Sequence, residues 1–345
     1  MKLSKLTVLA IVSLVLILSA GPLMAQNNDK MTKYPIALVP GVFAWGELFG
    51  VYDHFYNIEN KLEDYFGGND WVHYMDLNPW QDTEARGLEL ANQIEELCAR
   101  EGYEKVNLIA HSHGSTTSRV AMTLTDKIAS LTTIAGPHYG TPMADAMVEE
   151  SSDWFFKMAC SILNLSSDVV DIFSTGKNYI RQSDSEAVFN DFTQSQMEEF
   201  NNKYKSAGLP EGGTYGLKQY GADAAQNQSY WGNGFGDVRY GHEEDAIRFY
   251  SLTGNIGNKA TAPWSFDMAD IVTVITDFYA NSYDYHGDAD GFVPVSSSIF
   301  GEQVGEYKWN HCDEINQLMG LVGATSASPV SVYKSHISRL KLAGL

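Results

Sequence analysis

Cysteine is scarce in this chain, and its scarcity limits how the fold can be cross-linked. Among 345 residues there are three cysteines, which are Cys98, Cys160 and Cys312. An odd number scattered across unlike contexts provides no disulfide framework, and at most one bridge can form. The sequence therefore excludes the small, disulfide-stapled class, and we expect a fold held by its packed core.

Basic residues are also few relative to acidic ones. The chain has 23 Lys and Arg against 43 Asp and Glu, which gives a formal net charge of −20 at pH 7. Such a surface repels phosphate backbones and anionic membranes, so a nucleic acid is not an expected partner. The acid excess is typical of a well-solvated surface.

Long apolar runs are missing except at the N-terminus. Two lysines precede an uncharged apolar run from Leu6 to Leu18, and small residues follow as far as Ala25. This layout predicts a secretory signal peptide over residues 1–25 and a secreted mature chain over residues 26–345. A membrane anchor is the competing interpretation, but a bilayer span needs about 20 apolar residues and this run is shorter.

From Tyr34 onward, short apolar runs alternate with amphipathic segments. The predicted strands are Ile36–Val39, Val72–Leu77, Val106–Ala110, Leu131–Ala135 and Ile247–Leu252. The helical spacing of apolar residues predicts helices over Glu84–Arg100 and Ser115–Leu124. Strands that alternate with helices predict an α/β fold with a doubly wound, mostly parallel sheet.

The alternation breaks between about residues 142 and 240, where small polar residues, methionines and aromatics are frequent and no strand repeat is evident. We interpret this segment as a helical cap inserted into a single domain. Within it, apolar residues from Trp154 to Leu163 fall at helical spacing. Such a stripe suits either a fixed core contact or a mobile lid, and the sequence leaves both interpretations open.

The strongest chemical signal is a turn between a predicted strand and a predicted helix. Ser112 stands at the centre of the pattern small-x-Ser-x-Gly, with Ala110 and Gly114 as the small residues. A serine on such a turn stands clear of the sheet, and its neighbours two residues away must be small because the two backbones crowd there. The pattern predicts a nucleophile elbow at Ser112.

A serine nucleophile needs a base to take its proton and a carboxylate to orient that base. On this kind of fold the acid and then the histidine follow the serine along the chain. Asp290 and His311 meet that order, and Asp288 is the rival for the acid. We prefer Asp290 because Gly, an aromatic residue and Val follow it. The other histidines, including His111, are interpreted as structural.

Several ordered motifs together resemble one family. They are Tyr34-Pro35-Ile36 with Val39-Pro40-Gly41, Glu84-Ala85-Arg86-Gly87, Ala110-His111-Ser112-His113-Gly114, Ala135-Gly136-Pro137-His138, Asp290-Gly291-Phe292-Val293 and the run from Asn310 to Gln317. The chain is similar to the secreted Pseudomonas/Burkholderia-type triacylglycerol lipases from Tyr34 almost to its C-terminus, and the cap matches far less clearly. The resemblance implies an α/β-hydrolase fold and a catalytic triad of Ser112, Asp290 and His311.

By the same resemblance, the backbone N–H groups of Val42 and His113 form the oxyanion hole, which binds the negative oxygen of the reacting ester. Pro40 departs from the family, which usually has His at this position. Arg86 resembles an arginine that braces the loop, although a surface helix cap is an alternative role.

The family also holds a structural calcium ion beside the loop of the catalytic histidine. The resemblance assigns carboxylate ligands to Asp267 and Asp313 and backbone carbonyl ligands to Gln317 and Leu321. Asp270 competes with Asp267 for the first carboxylate. Calcium takes several oxygen ligands of these kinds. The ion is expected to hold His311 in place and not to activate water.

The expected activity is therefore hydrolysis of carboxylic esters, with triacylglycerols at an oil–water interface as the favoured substrate. An esterase or polyester hydrolase acting on shorter esters is the alternative. A non-catalytic binding protein on the same fold is a second alternative, supported only by Pro40 and by Ala110, which stands where the elbow more often has glycine. Some members of the family need a dedicated folding chaperone, which makes such a chaperone an expected partner.

Overall fold

A mostly parallel β-sheet organises the fold. In the computed structural model, the described residues are 31–42, 54–68, 70–79, 81–149, 185–204, 209, 239–240, 247–256, 288–317, 320, 322–323 and 325–345. Within them, the sheet has seven strands, of which six run parallel in the order β2-β1-β3-β4-β6-β7. The short strand β5 pairs antiparallel with the start of β6.

The elements alternate along the chain as the apolar pattern predicts. The strands are β1 (Ile36–Val39), β2 (Val72–Tyr74), β3 (Val106–His111), β4 (Ile128–Ile134), β5 (Arg239–Tyr240), β6 (Ile247–Gly254) and β7 (Glu302–Tyr307). The helices are α1 (Ile58–Phe66), α2 (Thr83–Glu101), α3 (His113–Ala121), α4 (Pro142–Glu149), α5 (Ser185–Asp191), α6 (Gln194–Lys203), α7 (Val295–Ser298) and α8 (Pro329–Leu342). A 3₁₀ turn spans Asp313–Ile315.

Helices cover both faces of the sheet, and the central strands are consequently buried along their whole length. Every residue of β1, β3 and β4 is buried. Strands covered on both faces read as nearly continuous apolar runs, which is why these three were visible in the sequence.

Helix α2 has clear ends, since the Asp82 side chain accepts the Ala85 N–H at 2.9 Å and Gly102 closes the helix with φ 75°.

One face of the sheet packs against helices α2 and α3. Its core combines alternate strand residues such as Val39 and Leu108 with Leu90 and Ile94 of α2. On the opposite face, helix α8 reaches β4 through a hydrogen bond of 2.6 Å between His336 and Thr132. This layering leaves the carboxyl ends of the strands free to carry a site.

The predicted strands and helices are present, with ends that shift by up to three residues. Strand β2 ends at Tyr74, short of the predicted Leu77. Strand β7 and helices α1 and α8 were not predicted. The signal peptide, the Trp154–Leu163 stripe and much of the cap lie outside the described residues, so the signal peptide and the cap remain predictions. No helix among the described residues is long and apolar enough to cross a membrane.

Candidate active site

Ser112 occupies a sharp turn between strand β3 and helix α3. Its backbone has φ 53° and ψ −126°, a conformation that residues with a side chain rarely adopt. The Ser112 N–H donates to the carbonyl of Ile134 at the end of β4, at 2.8 Å. The turn therefore aims the serine side chain away from the sheet at the carboxyl ends of the strands.

Close backbone contacts explain the small residues of the turn. A Cβ atom on Gly114 would lie 2.5 Å from the carbonyl oxygen of Val39 and 2.7 Å from that of Pro40. Only glycine fits there without displacing the loop that follows β1. Ala110 is fully buried, and its carbonyl accepts the Ser115 hydroxyl at 3.0 Å. The alanine, where glycine is more usual, is thus accommodated by the elbow.

Three side chains from distant parts of the sequence form one hydrogen-bonded chain. His311 Nε2 lies 3.0 Å from Ser112 Oγ, and His311 Nδ1 lies 2.7 Å from Asp290 Oδ2. The Nδ1–H group can donate to the carboxylate, which leaves Nε2 free to accept the serine proton. This geometry suits a serine nucleophile with histidine as its general base.

The structure also separates the two candidate acids. Asp290 is buried, and its Oδ1 accepts the backbone N–H groups of Phe292 and Val293 at 2.8 and 2.7 Å. Its backbone carbonyl accepts the His311 N–H at 3.1 Å. Asp288 is exposed. Asp290 is therefore the acid that the fold fixes against His311.

The loop after β1 lies beside Ser112 and carries the predicted oxyanion donor Val42. Arg86 is fully buried and donates to the Pro40 carbonyl at 2.6 Å, to Thr117 Oγ1 at 3.2 Å and to the Asn78 carbonyl. Burial lowers its pKa to about 10. Arg86 thus braces this loop from inside the fold and is not a surface helix cap.

The two predicted oxyanion donors are the backbone N–H groups of Val42 and His113. Among the described residues, no hydrogen bond uses the backbone N–H of Val42 or that of His113. His113 is the first residue of helix α3, where backbone N–H groups point outward and favour negative charge. Val42 is buried in an apolar cluster with Met143, Phe189 and neighbouring residues of α4 to α6.

The His113 side chain connects the elbow to the cap region. Thr83 Oγ1 lies 3.0 Å from His113 Nε2 and donates to Asp191 Oδ2 at 3.0 Å. The hydroxyl therefore accepts from His113 Nε2–H. Phe192, next to Asp191, packs edge-on against the His113 ring at 4.9 Å. The end of α5 is thus tied to the residue that is predicted to supply an oxyanion donor.

Comparison with known proteins assigns the chain to a family. No protein-family model matches it. It is 31% identical over 348 residues to a triacylglycerol lipase of Burkholderia plantarii, covering 96% of this chain and 92% of that protein. It is 32% identical to a triacylglycerol lipase of Pseudarthrobacter phenanthrenivorans, covering 91% of this chain and 98% of that protein. The chain belongs to the triacylglycerol lipase family. It is accordingly an ester hydrolase, as the sequence predicts.

Solved structures similar to this lipase-family enzyme support its fold. Mature lipase BlEst2 of Bacillus licheniformis superposes with a TM-score of 0.52 at 15% identity, covering 90% of this chain and 93% of that chain. EstA of Clostridium botulinum superposes with a TM-score of 0.53 at 16% identity, covering 95% of this chain and 90% of that chain. The α/β-hydrolase fold predicted from the sequence is confirmed.

Beneath the triad of this lipase-family enzyme lies a buried network that the sequence analysis missed. Glu314 Oε2 lies 3.2 Å from His111 Nε2 and 3.9 Å from His311 Nδ1. His111 Nδ1 lies 3.2 Å from His54 Nε2, which accepts the Gly41 N–H at 3.1 Å. His111 is buried, as its structural interpretation requires, but it contacts functional groups on both sides.

Burial sets the charge of this network. It raises the pKa of Glu314 well above its usual value, with the nearby carboxylate of Asp290 acting in the same direction. Burial also lowers the pKa of His111 well below its usual value, and the neighbouring His311 and His54 lower it further. A neutral acid and a neutral imidazole are therefore favoured. Only the three-residue spacing of Glu314 from His311 signalled this role in the sequence, and nothing signalled His54.

The predicted calcium ligands are only partly within the described residues. Asp313 opens the 3₁₀ turn after His311, is 2% exposed, and accepts the Asn310 N–H on Oδ2 at 3.1 Å. Gln317 is also buried, and its N–H donates to the Cys312 carbonyl at 3.0 Å. Asp267, its rival Asp270 and Leu321 lie outside the described residues.

Proposed function

We propose that this ester hydrolase is a secreted triacylglycerol lipase that forms an acyl-enzyme on Ser112. The observation that carries the proposal is the hydrogen-bonded chain from Ser112 through His311 to Asp290. Ser112 Oγ attacks the ester carbonyl carbon while His311 Nε2 takes its proton. His311 then gives that proton to the leaving alcohol, and the fatty acyl group stays on the serine.

Water completes the cycle by the same route in reverse. His311 takes a proton from a water molecule, and the resulting hydroxide attacks the acyl carbonyl carbon. The bond between that carbon and Ser112 Oγ then breaks, His311 returns the proton to Ser112 Oγ, and the fatty acid leaves. Asp290 keeps the imidazole in the tautomer with Nδ1–H and stabilises its charged form. In both steps the negative carbonyl oxygen accepts hydrogen bonds from the Val42 and His113 N–H groups.

Two observations favour long-chain acylglycerols as substrates. The relatives that match almost the whole chain are named triacylglycerol lipases. The second is an apolar cluster that includes Val42 and has Phe292 packed against it, while the Phe292 ring lies 5.2 Å from that of His311. An apolar cluster that reaches the general base in this way suits a fatty acyl or glyceride chain.

We also propose that calcium binds beside the catalytic histidine, with Asp313 as a carboxylate ligand. The buried Asp313 side chain, two residues after His311, fits a hard cation that prefers oxygen ligands. Gln317, Leu321 and Asp267 are the further proposed ligands. Bound calcium would supply a fixed positive charge that holds the turn carrying His311. Addition of calcium should raise the melting temperature, and chelation or Asp313→Asn should remove that increase.

Secretion through a signal peptide over residues 1–25 belongs to the same proposal and rests on the N-terminal pattern. Appearance of the mature chain in the culture medium would support it. A dedicated folding chaperone remains a prediction from the family resemblance. Its test is whether the purified, unfolded chain recovers activity without such a partner.

The deciding experiment compares triolein emulsion with dissolved p-nitrophenyl butyrate, using the mature protein and its Ser112→Ala variant. Hydrolysis of both by the wild type and of neither by the variant supports the lipase. Hydrolysis of the short ester alone would replace the lipase by an esterase. A folded wild type that hydrolyses neither, and whose Ser112 resists a fluorophosphonate, would indicate a binding protein instead.

A further inference from the structure

We propose that His54 is a positioning residue for the oxyanion loop, defined here as Val39 to Val42. Its ring links this loop, through His111, to the turn that carries the catalytic histidine. The inference rests on the proposed function, because it assumes that the Val42 N–H binds the oxyanion. It adds a residue that lies outside every motif of the sequence.

The first step concerns the peptide between Pro40 and Gly41. Its carbonyl oxygen, on Pro40, accepts from Arg86 Nη2 at 2.6 Å. Its N–H, on Gly41, donates to His54 Nε2 at 3.1 Å. Both polar ends of this one peptide unit are therefore held by buried side chains, which fixes the orientation of its plane.

The held peptide is the immediate neighbour of the proposed donor. Only the two backbone torsions of Gly41 separate it from the peptide that carries the Val42 N–H. Glycine is required there, because a Cβ atom on Gly41 would lie 2.7 Å from Ser112 Cβ. Glycine is also the residue with the greatest torsional freedom. A loop so close to the nucleophile therefore needs an external restraint, and His54 provides one of the two.

Proton placement in the chain follows from the donor at its end. A backbone N–H can only donate, so His54 Nε2 carries no proton and acts as an acceptor. His111 Nδ1, at 3.2 Å from that atom, must then carry the proton and donate it. The direction of this hydrogen bond is the same for neutral His111 with its proton on Nδ1 and for charged His111, because Nδ1 carries a proton in both forms. His111 thereby holds the tautomer and the orientation of His54.

The far end of the chain reaches the catalytic histidine. Glu314 lies 3.2 Å from His111 Nε2 and three residues after His311, and the His111 and His311 rings are 4.5 Å apart. The oxyanion loop and the general base are consequently held by one buried frame. A shift in His54 is expected to move the oxyanion donor without removing any group that transfers a proton.

The test uses paired substrates that differ in one atom, a p-nitrophenyl ester and its thionoester, in which sulfur replaces the carbonyl oxygen. Sulfur is a weak hydrogen-bond acceptor, so the thionoester gains little from an oxyanion hole. Three variants are compared with the wild type. His54→Gln places an amide oxygen near the position of Nε2 and can accept from both Gly41 and His111. His54→Asn is too short to do so, and His54→Phe keeps an aromatic ring in this position but offers no acceptor.

We expect His54→Phe and His54→Asn to lower kcat for the oxygen ester about 10- to 100-fold, with a smaller change in KM. The thionoester rate should change little, so the ratio of the oxygen-ester rate to the thionoester rate should fall in these two variants. In His54→Gln this ratio should stay near the wild-type value. If His54→Phe fails to fold, His54→Gln and His54→Asn decide the question by the same ratio.

Equal losses on both substrates, or no loss in any variant, would overturn the inference while leaving the proposed function intact. A wild type that hydrolyses neither substrate would overturn both. Failure of His54→Gln to differ from His54→Asn would also count against a hydrogen bond to Gly41 as the cause.

Discussion

The Oδ2 atom of Asp290 lies 2.7 Å from His311 Nδ1, while its other oxygen accepts two backbone N–H groups. The carboxylate is thus fixed on both sides before any substrate binds. Asp288, two residues earlier, is exposed. The position of each acid in the fold, and not its charge, decides which one can serve His311.

Asp290→Asn should lower kcat by about 10³- to 10⁴-fold and leave the fold intact, because an amide can present its N–H to His311 Nδ1 and stabilise the wrong tautomer. Asp288→Asn is the matched control and should retain wild-type activity. Rates of p-nitrophenyl butyrate hydrolysis and melting temperatures of both variants provide the measurement. A stronger loss in Asp288→Asn than in Asp290→Asn would reverse the assignment.

Gly114→Ala should both destabilise the protein and reduce its activity. The new Cβ would approach the Val39 and Pro40 carbonyl oxygens to 2.5 and 2.7 Å, so the oxyanion loop must shift. Overpacking of this kind costs roughly 1–3 kcal/mol.

Gly102→Ala is the control for Gly114→Ala. A Cβ atom on residue 102 would meet no atom within 4 Å, so the backbone φ of 75° is the only source of strain. Gly102→Ala should lose about 1 kcal/mol of stability and keep its activity. Urea unfolding and kcat separate the two cases, and full activity in folded Gly114→Ala would contradict the close approach.

Arg86→Met should weaken the oxyanion loop by releasing the carbonyl end of the Pro40–Gly41 peptide, whose N–H end is bound by His54. Methionine keeps an apolar chain in the buried position but leaves the Pro40 and Asn78 carbonyls without their donor, and a buried unsatisfied group costs about 1–3 kcal/mol. We expect a lower melting temperature and a lower kcat. Arg100→Met, at a largely exposed position on the same helix, should change neither quantity. Equal melting temperatures and equal kcat values in the two variants would show that Arg86 does not support the loop.

The sequence predicts local features of this enzyme better than contacts between distant segments. Strands β1, β3, β4 and β6 and the elbow at Ser112 have signals within a few residues, because burial on both faces demands apolar runs and crowding demands Gly114. Strand β7 was missed because it lies at the edge of the parallel array, and its half-buried residues show no apolar run. His54 was missed because its partners, Gly41 and His111, are distant in sequence.

Family resemblance supplied what local patterns did not. It selected Val42 and His113 as oxyanion donors, and no hydrogen bond within the described part of the chain uses either backbone N–H group. It also named Arg86, whose buried side chain donates a hydrogen bond to the Pro40 carbonyl in this loop. It gave no role to Glu314, although that side chain lies closer to His111 than to His311.

Buried histidines should make the stability of this enzyme sensitive to acid, and His336 is the simplest case. Its Nδ1 accepts from Arg339 at 3.3 Å, so its Nε2–H donates to Thr132 Oγ1 at 2.6 Å. Burial, assisted by the charge of Arg339, lowers its pKa from 6.5 to about 3. The folded protein therefore holds this ring neutral at pH values where the unfolded chain protonates it.

The sign of the effect follows from that difference. Between pH 6.5 and about 3 the unfolded state binds one more proton at this site, so stability falls as the pH is lowered. At pH 5.5 the loss from His336 alone should be about 1.4 kcal/mol. His336→Gln can keep the hydrogen bond to Thr132 and cannot be protonated. Its free energy of unfolding in urea should therefore fall less than that of the wild type between pH 7.5 and pH 5.5, by about that amount. Equal losses of unfolding free energy in the two proteins would contradict the lowered pKa of His336. Removing a buried ring that stays neutral in the folded protein must reduce the pH dependence of stability.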